Sequence, residues 1–300
     1  MKITIIVFSP SGNTLKVGKM MESAFKNKGA DVQIIDSTRR EIIFKQNNRA
    51  GFLNKNVSAH DVLMIGGPVY SHHMQYNLLE LIKALPQPDE RWSSLAVPFT
   101  TFGTISSGEA LAEAAALLRI TGRKSVLGLK VDAYHCFTKK WDTKINEGMP
   151  GKEALPYIDE LVAETLKLEG RNPDTVKDIS DLFNYQSKSA IFKSNVLLKE
   201  KRMHKHVFPK VRFDYSKCES CKKCKKVCPV QCIEIRNELP MQANAKACIH
   251  CAECFHTCPY DAIRLNIKKY KPFLMMGAKG KGFLTSHETK KTGVFFNSSL

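Results

Sequence analysis

The strongest constraint on this 300-residue chain is the spacing of its cysteines, eight of which are arranged in two regular runs between residues 218 and 258. They form two copies of the pattern C-x2-C-x2-C-x3-C-P. Three cysteines on one tight loop can each reach a different iron of a cubane, while the fourth arrives from elsewhere. The pattern therefore predicts ligands for iron-sulfur clusters. The first copy contains Cys218, Cys221, Cys224 and Cys228, and the second contains Cys248, Cys251, Cys254 and Cys258.

In this spacing the fourth cysteine of each run binds the other cluster. The copies also align beyond cysteine, because Pro229 and Ile233 recur as Pro259 and Ile263, as expected of a duplicated unit. Residues 211–267 resemble the bacterial two-cluster ferredoxins, which implies a small α+β domain with two 4Fe-4S clusters. The expected ligand sets are Cys218, Cys221, Cys224 with Cys258, and Cys248, Cys251, Cys254 with Cys228.

Two other uses of these cysteines fit less well. Zinc sites take four ligands in two pairs, whereas each run here has four cysteines and a closing proline. Structural disulfides are disfavoured because the flanks are rich in lysine and nothing marks secretion. Cys232 takes the place of Ala262 in the other copy, so we expect a small buried filler beside a cluster rather than a ninth ligand.

The composition bounds the class of protein. Hydrophobic residues make up 43% and charged residues 25%, which is ordinary for a soluble globular protein, and the length favours two domains. No apolar run approaches the ~18 residues of a membrane-spanning helix. The N-terminus runs directly into a turn without a cleavage-type segment. These features predict a cytoplasmic protein with no membrane span.

The net charge of +17 is unevenly distributed along the chain. It is +3 over residues 1–170, +5 over 171–210, +3 over 211–267 and +6 over 268–300. Each oxidised cubane with four thiolates carries about −2, so the lysines beside the cysteines are expected to compensate for cluster charge. This distribution argues against a nucleic acid as the partner.

The N-terminus carries a second pattern, an apolar run at residues 2–8 that is typical of a buried parallel strand. A hydroxyl-rich turn and a helical pattern follow. A helix N-terminus after such a turn binds anions through backbone N–H groups and the helix dipole. An ordinary helix cap is the alternative, and the lack of a G-x-x-x-x-G-K-[ST] sequence argues against an ATP or GTP loop. The turn resembles the phosphate loop of flavodoxins, which implies FMN phosphate binding by Ser9, Ser11, Gly12, Asn13 and Thr14.

Further strands are expected at 30–36, 61–66, 94–101 and 124–133, and helices at about 74–85, 108–120 and 152–169, with a long polar connection over 37–60. This alternation predicts a flavodoxin-like, doubly wound, five-stranded parallel sheet with its ligand at the carboxyl ends of the strands. The flavodoxin resemblance implies that two loops border the flavin ring, with Tyr70 stacking on it. These loops contain Gly67, Pro68, Val69 and Tyr70, and Thr101, Phe102 and Gly103. His72, His73, His135 and Cys136 lie near strand ends without an assigned role.

The whole layout resembles the flavodoxin-ferredoxin fusion flavoproteins of anaerobes over about residues 1–267. The resemblance implies electron transfer between two 4Fe-4S clusters and FMN, with a redox protein as partner, and tethering would make the transfer intramolecular. Two alternatives stay open: a flavin-dependent reductase of a small substrate, and a flavin-free docking module. The expected parts are a flavodoxin-like domain (1–170), a basic helical linker (171–210), the two-cluster domain (211–267) and a basic tail (268–300), disordered by default.

Overall fold

The computed structural model describes residues 1–103, 106–142, 144–179, 187–197, 203, 208–267, 270–278 and 292–296. Much of the expected linker and tail lies outside these ranges. In the part of the chain thus described, no helix has both the length and the apolarity needed to cross a membrane.

A mostly parallel sheet forms the centre of the N-terminal domain. Its five parallel strands are β1 (Lys2–Val7), β2 (Asp31–Asp36), β3 (Val62–Tyr70), β5 (Leu95–Phe102) and β7 (Leu127–Asp132). They lie in the order β2-β1-β3-β5-β7, which is the doubly wound, flavodoxin-like order. Two short strands extend it, with β4 (His73–Met74) pairing with β3 and β6 (Lys124–Ser125) pairing with β5.

Helices cover both faces of this sheet. They are α1 (Asn13–Asn27), α2 (Glu41–Phe44), α3 (Arg49–Asn56), α4 (Tyr76–Lys83), α5 (Ala110–Ile120) and α6 (Leu155–Leu166). The central strands β1, β3 and β5 are buried on both sides. In β1, for example, Ile3 and Ile5 pack with α1 and α6, whereas Ile6 packs into the opposite core with α3 and α4. The predicted fold class is confirmed, although the connection over 37–60 contains two short helices.

The end of the chain returns to this sheet. Strand β12 (Gly293–Phe296) pairs antiparallel with β7, with Gly293 opposite Lys130 and Phe296 opposite Leu127. The prediction of a disordered tail was wrong for these residues. The reason is that the open edge of β7 offers unpaired backbone groups, which the tail strand satisfies.

The C-terminal module is small and duplicated. Strands β8 (Val211–Phe213) and β11 (Ile263–Leu265) pair with each other, and β9 (Ile233–Arg236) pairs with β10 (Leu239–Gln242). Two five-residue helices, α8 (Lys223–Val227) and α9 (Glu253–Thr257), carry cysteines inward. Helix α7 (Lys188–Leu197) precedes the module, and α10 (Lys271–Ala278) follows it.

The module packs directly on the sheet domain. The apolar core that contains Phe8 and Leu78 continues without interruption to Cys224 and Ile249 of the module. Across the contact, Arg39 Nε donates to the carbonyl oxygen of Val227 at 3.0 Å. The two parts therefore share buried surface.

Candidate cofactor sites

Two cavities in the C-terminal module gather the cysteines of the two runs, four in each, and Cys232 also lines the second cavity. We call them the outer cage, which contains Cys218, Cys221, Cys224 and Cys258, and the inner cage, which contains Cys228, Cys248, Cys251 and Cys254. This is the grouping that the cysteine spacing predicts, with one cysteine of each run contributed to the other cage. The two runs therefore interlock.

The backbone of the two runs repeats as closely as the sequence. Residues with positive φ recur thirty positions apart, with Ser220 (50°) matched by His250 (55°) and Lys222 (59°) matched by Ala252 (64°). Left-handed backbone is unfavourable for residues other than glycine and persists at sites where the surroundings require it. Here it turns the loops tightly enough for three cysteines of each run to line one cavity. The duplicated geometry therefore fits a pair of clusters.

The buried thiols also fit a metal-bound role. The hydrogen bond from Cys232 lowers the pKa of the Cys228 thiol to about 6, whereas burial raises that of Cys224 to about 11 and that of Cys251 well above its usual range. A thiolate at such a position is unfavourable unless a cation compensates for its charge, and bound iron supplies that cation. Among the described residues, no three His, Cys, Asp or Glu side chains converge as a single metal ion requires. A cubane does not need that convergence, because its four thiolates bind four different irons.

Cys232 lies against the inner cage. Its Sγ is 3.5 Å from Cys228 Sγ, and its amide donates to the same sulfur at 3.3 Å. The side chain is buried, as expected for a filler. An amide aimed at a ligand sulfur is one way in which proteins tune a cluster.

A third cavity lies at the carboxyl ends of the parallel strands. This cleft has a volume of about 900 Å³, counting its open mouth. Loops after β1, β3, β5 and β7 line it, so it lies where doubly wound sheets bind ligands. Eight of the twelve residues expected at a flavin site line the cleft: Ser11, Asn13, Pro68, Val69, Tyr70, Thr101, Phe102 and Gly103.

The remaining four residues act behind the cleft. Ser9 Oγ accepts from the amide of Leu15 at 2.9 Å, and Thr14 Oγ1 lies 2.8 Å from Thr101 Oγ1 in a buried contact. Gly12 occupies the N-cap of α1 with φ of 88°. Gly67 serves packing, because a Cβ there would lie 2.8 Å from Leu78 of α4.

The N-terminus of α1 presents free donors to the cleft. Within the described residues, the amides of Ser11, Asn13 and Thr14 have no hydrogen-bond acceptor, and α1 has no side-chain cap. Three free amides at a helix N-terminus form an anion site, to which the helix dipole adds positive potential. The loop therefore fits a phosphate group through its backbone, while the hydroxyls of Ser9 and Thr14 hold its shape.

Two histidines without an assigned role from sequence line the cleft. Neither ring nitrogen of His72 has a hydrogen-bond partner among the described residues, although both are buried. Burial lowers the pKa of His72 and of His135 to about 4, so both rings are neutral at ordinary pH. The His135 ring fits only because Gly103 has no side chain, since a Cβ there would lie 2.6 Å from His135 Cδ2. A ligand in the cleft would meet a buried imidazole able to donate or accept.

The other two unassigned residues divide between the cleft and the core. Cys136 lines the cleft, and burial raises the pKa of its thiol to about 12. His73 instead contacts Glu113, with Nδ1 2.6 Å from Oε1. The position of Cys136 just after β7 was a usable signal, because the carboxyl ends of parallel strands share one edge.

Four further residues that line the cleft are distant in sequence. Met203 and Phe208 precede the C-terminal module, and Tyr270 and Leu274 follow it. They form one apolar cluster with Phe137 from the loop after β7. The segments that flank the module therefore close one side of the cleft, an arrangement that no local motif indicates.

Comparison with known protein families identifies part of the C-terminal module. Residues 211–234 match the family of 4Fe-4S binding domains. The C-terminal module is a ferredoxin-type domain. The chain thus joins a flavodoxin-like fold to a ferredoxin module.

Solved structures resemble the N-terminal part. An archaeal flavodoxin is 18% identical, with 56% of this chain and 99% of that chain covered and a TM-score of 0.36. The apo form of an NADH:FMN oxidoreductase is 16% identical, with 59% of this chain and 94% of that chain covered and a TM-score of 0.44. Rubredoxin oxygen:oxidoreductase from the anaerobe Desulfovibrio gigas is 19% identical, with 55% of this chain but only 36% of that chain covered and a TM-score of 0.38. No curated protein matches the chain.

Proposed function

We propose that this protein is an electron-transfer iron-sulfur flavoprotein of the cytoplasm, a redox carrier of anaerobic metabolism that exchanges electrons with a redox protein. The two cages would hold one 4Fe-4S cluster each, and the cleft would hold FMN. When bound, the clusters exchange single electrons and the flavin accepts one or two. One observation carries the proposal: a module with two four-cysteine cages packs on a sheet domain whose cleft ends in three free amides at the start of α1.

Each part of the cleft has a distinct task in this proposal. The amides of Ser11, Asn13 and Thr14 would bind the phosphate of FMN. The rings of Tyr70 and Phe102 would shield the isoalloxazine ring from water, and His72 would hydrogen-bond a polar edge of it. In the cages, the eight cysteines of the two runs would supply the thiolate ligands.

The decisive experiment is anaerobic reconstitution with iron, sulfide and FMN, followed by metal, sulfide and flavin analysis. We expect two 4Fe-4S clusters and one FMN per chain. Riboflavin, which lacks the phosphate, is the matched control ligand and should bind much more weakly. Equal affinity for the two would remove the α1 N-terminus from the site, and zinc in place of iron would end the proposal.

A variant of the loop gives a second check. Thr14→Ala removes the buried hydroxyl contact with Thr101 that positions the start of α1 against β5. FMN should bind more weakly to it, whereas Thr14→Ser, which keeps the hydroxyl, should bind like the wild type. An unchanged FMN dissociation constant in Thr14→Ala would contradict the assignment.

The unpartnered imidazole of His72 favours a second candidate function, the reduction of a small substrate in the cleft. A neutral histidine beside a bound substrate can donate a hydrogen bond or a proton to it. Steady turnover of a small acceptor without a protein partner, lost in His72→Phe while FMN stays bound, would support this function. Dependence of turnover on a protein partner would favour the carrier.

A further inference from the structure

The wall between the inner cage and the cleft is a pair of stacked rings. His250 lines the inner cage, and Phe208 lines the cleft. Their ring centroids are 5.6 Å apart, with an interplanar angle of 26°. One stacked pair therefore joins the two cavities.

Both rings are held in place. The His250 side chain is buried, and its Nδ1 lies 3.1 Å from the carbonyl oxygen of Pro209. Phe208 is buried beside Phe137 and Tyr270, at centroid distances of 6.4 and 5.9 Å. Ala252, which also lines the inner cage, belongs to the same apolar cluster as Phe208. The contact is therefore part of a packed core.

The outer cage faces solvent instead. Cys221 is exposed, and Tyr260 beside it on the cage wall is 45% exposed. In the inner cage, by contrast, all four cysteines are buried.

We infer that the two cages have different roles in electron transfer. The inner cage exchanges electrons with the cleft through the stacked rings of His250 and Phe208, and the outer cage exchanges electrons with a redox protein that docks beside it. This inference rests on the proposed function. The transfer across the ring pair moves one electron and no atoms. A cluster held by the inner-cage cysteines would give up one electron and a flavin held in the cleft would take it up, or the reverse.

Variants that lose one cluster at a time test which cage exchanges electrons with the cleft. Cys254→Ala should lose the cluster of the inner cage, and Cys221→Ala that of the outer cage, each with half the iron. After rapid reduction of the remaining cluster, the flavin should be reduced at least tenfold more slowly in Cys254→Ala than in Cys221→Ala, a barrier difference of ~1.4 kcal/mol. The lifetime of bound-flavin fluorescence is the second readout, because a nearby cluster shortens it. It should lengthen more in Cys254→Ala.

A ring variant tests the contact without removing a ligand. Phe208→Leu keeps the site apolar but breaks the stack, and transfer from the clusters to saturating FMN should slow by roughly tenfold. Phe25→Leu makes the same change in the core on the other face of the sheet, where the ring lines none of these three cavities, and should transfer at the wild-type rate. Both variants should retain full iron content.

The outcomes separate the two proposals. If the wild-type protein binds no FMN, the proposed function fails, and the order of the cages fails with it. If FMN binds and is reduced by the clusters, but Cys221→Ala is the slower deletion or Phe208→Leu transfers as fast as Phe25→Leu, only the inference made here is overturned.

Discussion

The two halves of the ferredoxin module share a backbone but differ in their surroundings. Each residue of the first run has a counterpart thirty positions later, and the loops turn at matched positive-φ residues. Yet α8 exposes Lys223, Lys225 and Lys226, whereas the counterparts in α9 are Glu253, Phe255 and His256, all partly buried. Duplication repeats the ligand geometry, and the substitutions around it decide which of the two helices packs beside the loop after β7.

The docking contact shows how those substitutions work. Lys139 of the sheet domain lies 2.8 Å from Glu253, with side-chain exposures of 25% and 13%. Lys140 lies 4.5 Å from the centre of the Phe255 ring, a cation–π contact. Lysines at these positions, as in α8, would repel the cations of the loop after β7. Charge therefore favours α9 beside the loop after β7 and leaves the lysines of α8 exposed, while Val227 at the end of α8 contacts the sheet domain through Arg39.

The largest expected effect is the loss of one cluster. Cys224→Ala removes a thiol of the outer cage, so iron and sulfide content should fall by half while FMN binding persists. Cys232→Ala is the matched control, because alanine already occupies the equivalent place at Ala262, and it should retain all iron. Unchanged iron in Cys224→Ala would refute the ligand assignment.

The next largest effect is expected from exchanging charges between α8 and α9, because the same kind of change should destabilise the protein in one helix and not in the other. Glu253→Lys places a second cation beside Lys139 in a partly buried contact, so we expect the free energy of unfolding to fall by about 2 kcal/mol. The mirror change, Lys223→Glu, alters an exposed residue and should stay within about 0.5 kcal/mol. Denaturant unfolding of the two variants measures the difference. Equal losses would mean that the interface does not depend on this pair.

The order in which iron leaves should also distinguish the cages. Because Cys221 is exposed and all four inner-cage cysteines are buried, a chelator with a mild oxidant should remove the outer cluster first. Alkylation and peptide mass analysis after half of the iron is lost should then find label on Cys218 and Cys221. Label on Cys251 at that stage would contradict the assignment of the inner cage.

The sequence predicts the cysteine cages and the start of the sheet domain, but it does not predict how the ferredoxin module packs on the cleft. The cysteine spacing predicts two interlocking sets, and the apolar run at 2–8 with its hydroxyl-rich turn predicts the first strand and helix, because both signals are local. Phe208 and Tyr270 line the cleft only through tertiary packing, which no periodicity encodes. The Thr14 hydroxyl and Gly67 were expected at the ligand, yet the hydroxyl contacts Thr101 and Gly67 packs against Leu78 of α4. The charge difference between α8 and α9 was a signal for the docked half.

A weaker effect concerns pH. Burial lowers the pKa of His256 to about 4 from its ordinary 6.5, with a further contribution from Lys139. Between these two values the unfolded chain binds a proton that the folded chain excludes, so the free energy of unfolding falls as pH falls. His256→Gln should flatten this dependence, measured by denaturant unfolding at several pH values. Asp132 has the opposite effect on the pH dependence, because burial raises its pKa to about 7. Since Asp132 is present in both proteins, the difference between His256→Gln and the wild type reports the histidine alone. Identical pH curves would show that His256 is not buried at the interface.

The smallest effect is expected from the ion pair at the rim of the same interface. Lys140 Nζ lies 2.7 Å from Asp261, which is as close as the Lys139–Glu253 contact, but the carboxylate side chain is 74% exposed. Water and salt screen such a pair, and ordering two mobile side chains offsets much of the attraction. Asp261→Asn should therefore leave unfolding unchanged within error at physiological salt. A loss as large as that of Glu253→Lys would mean that distance, rather than burial, sets the strength of these contacts.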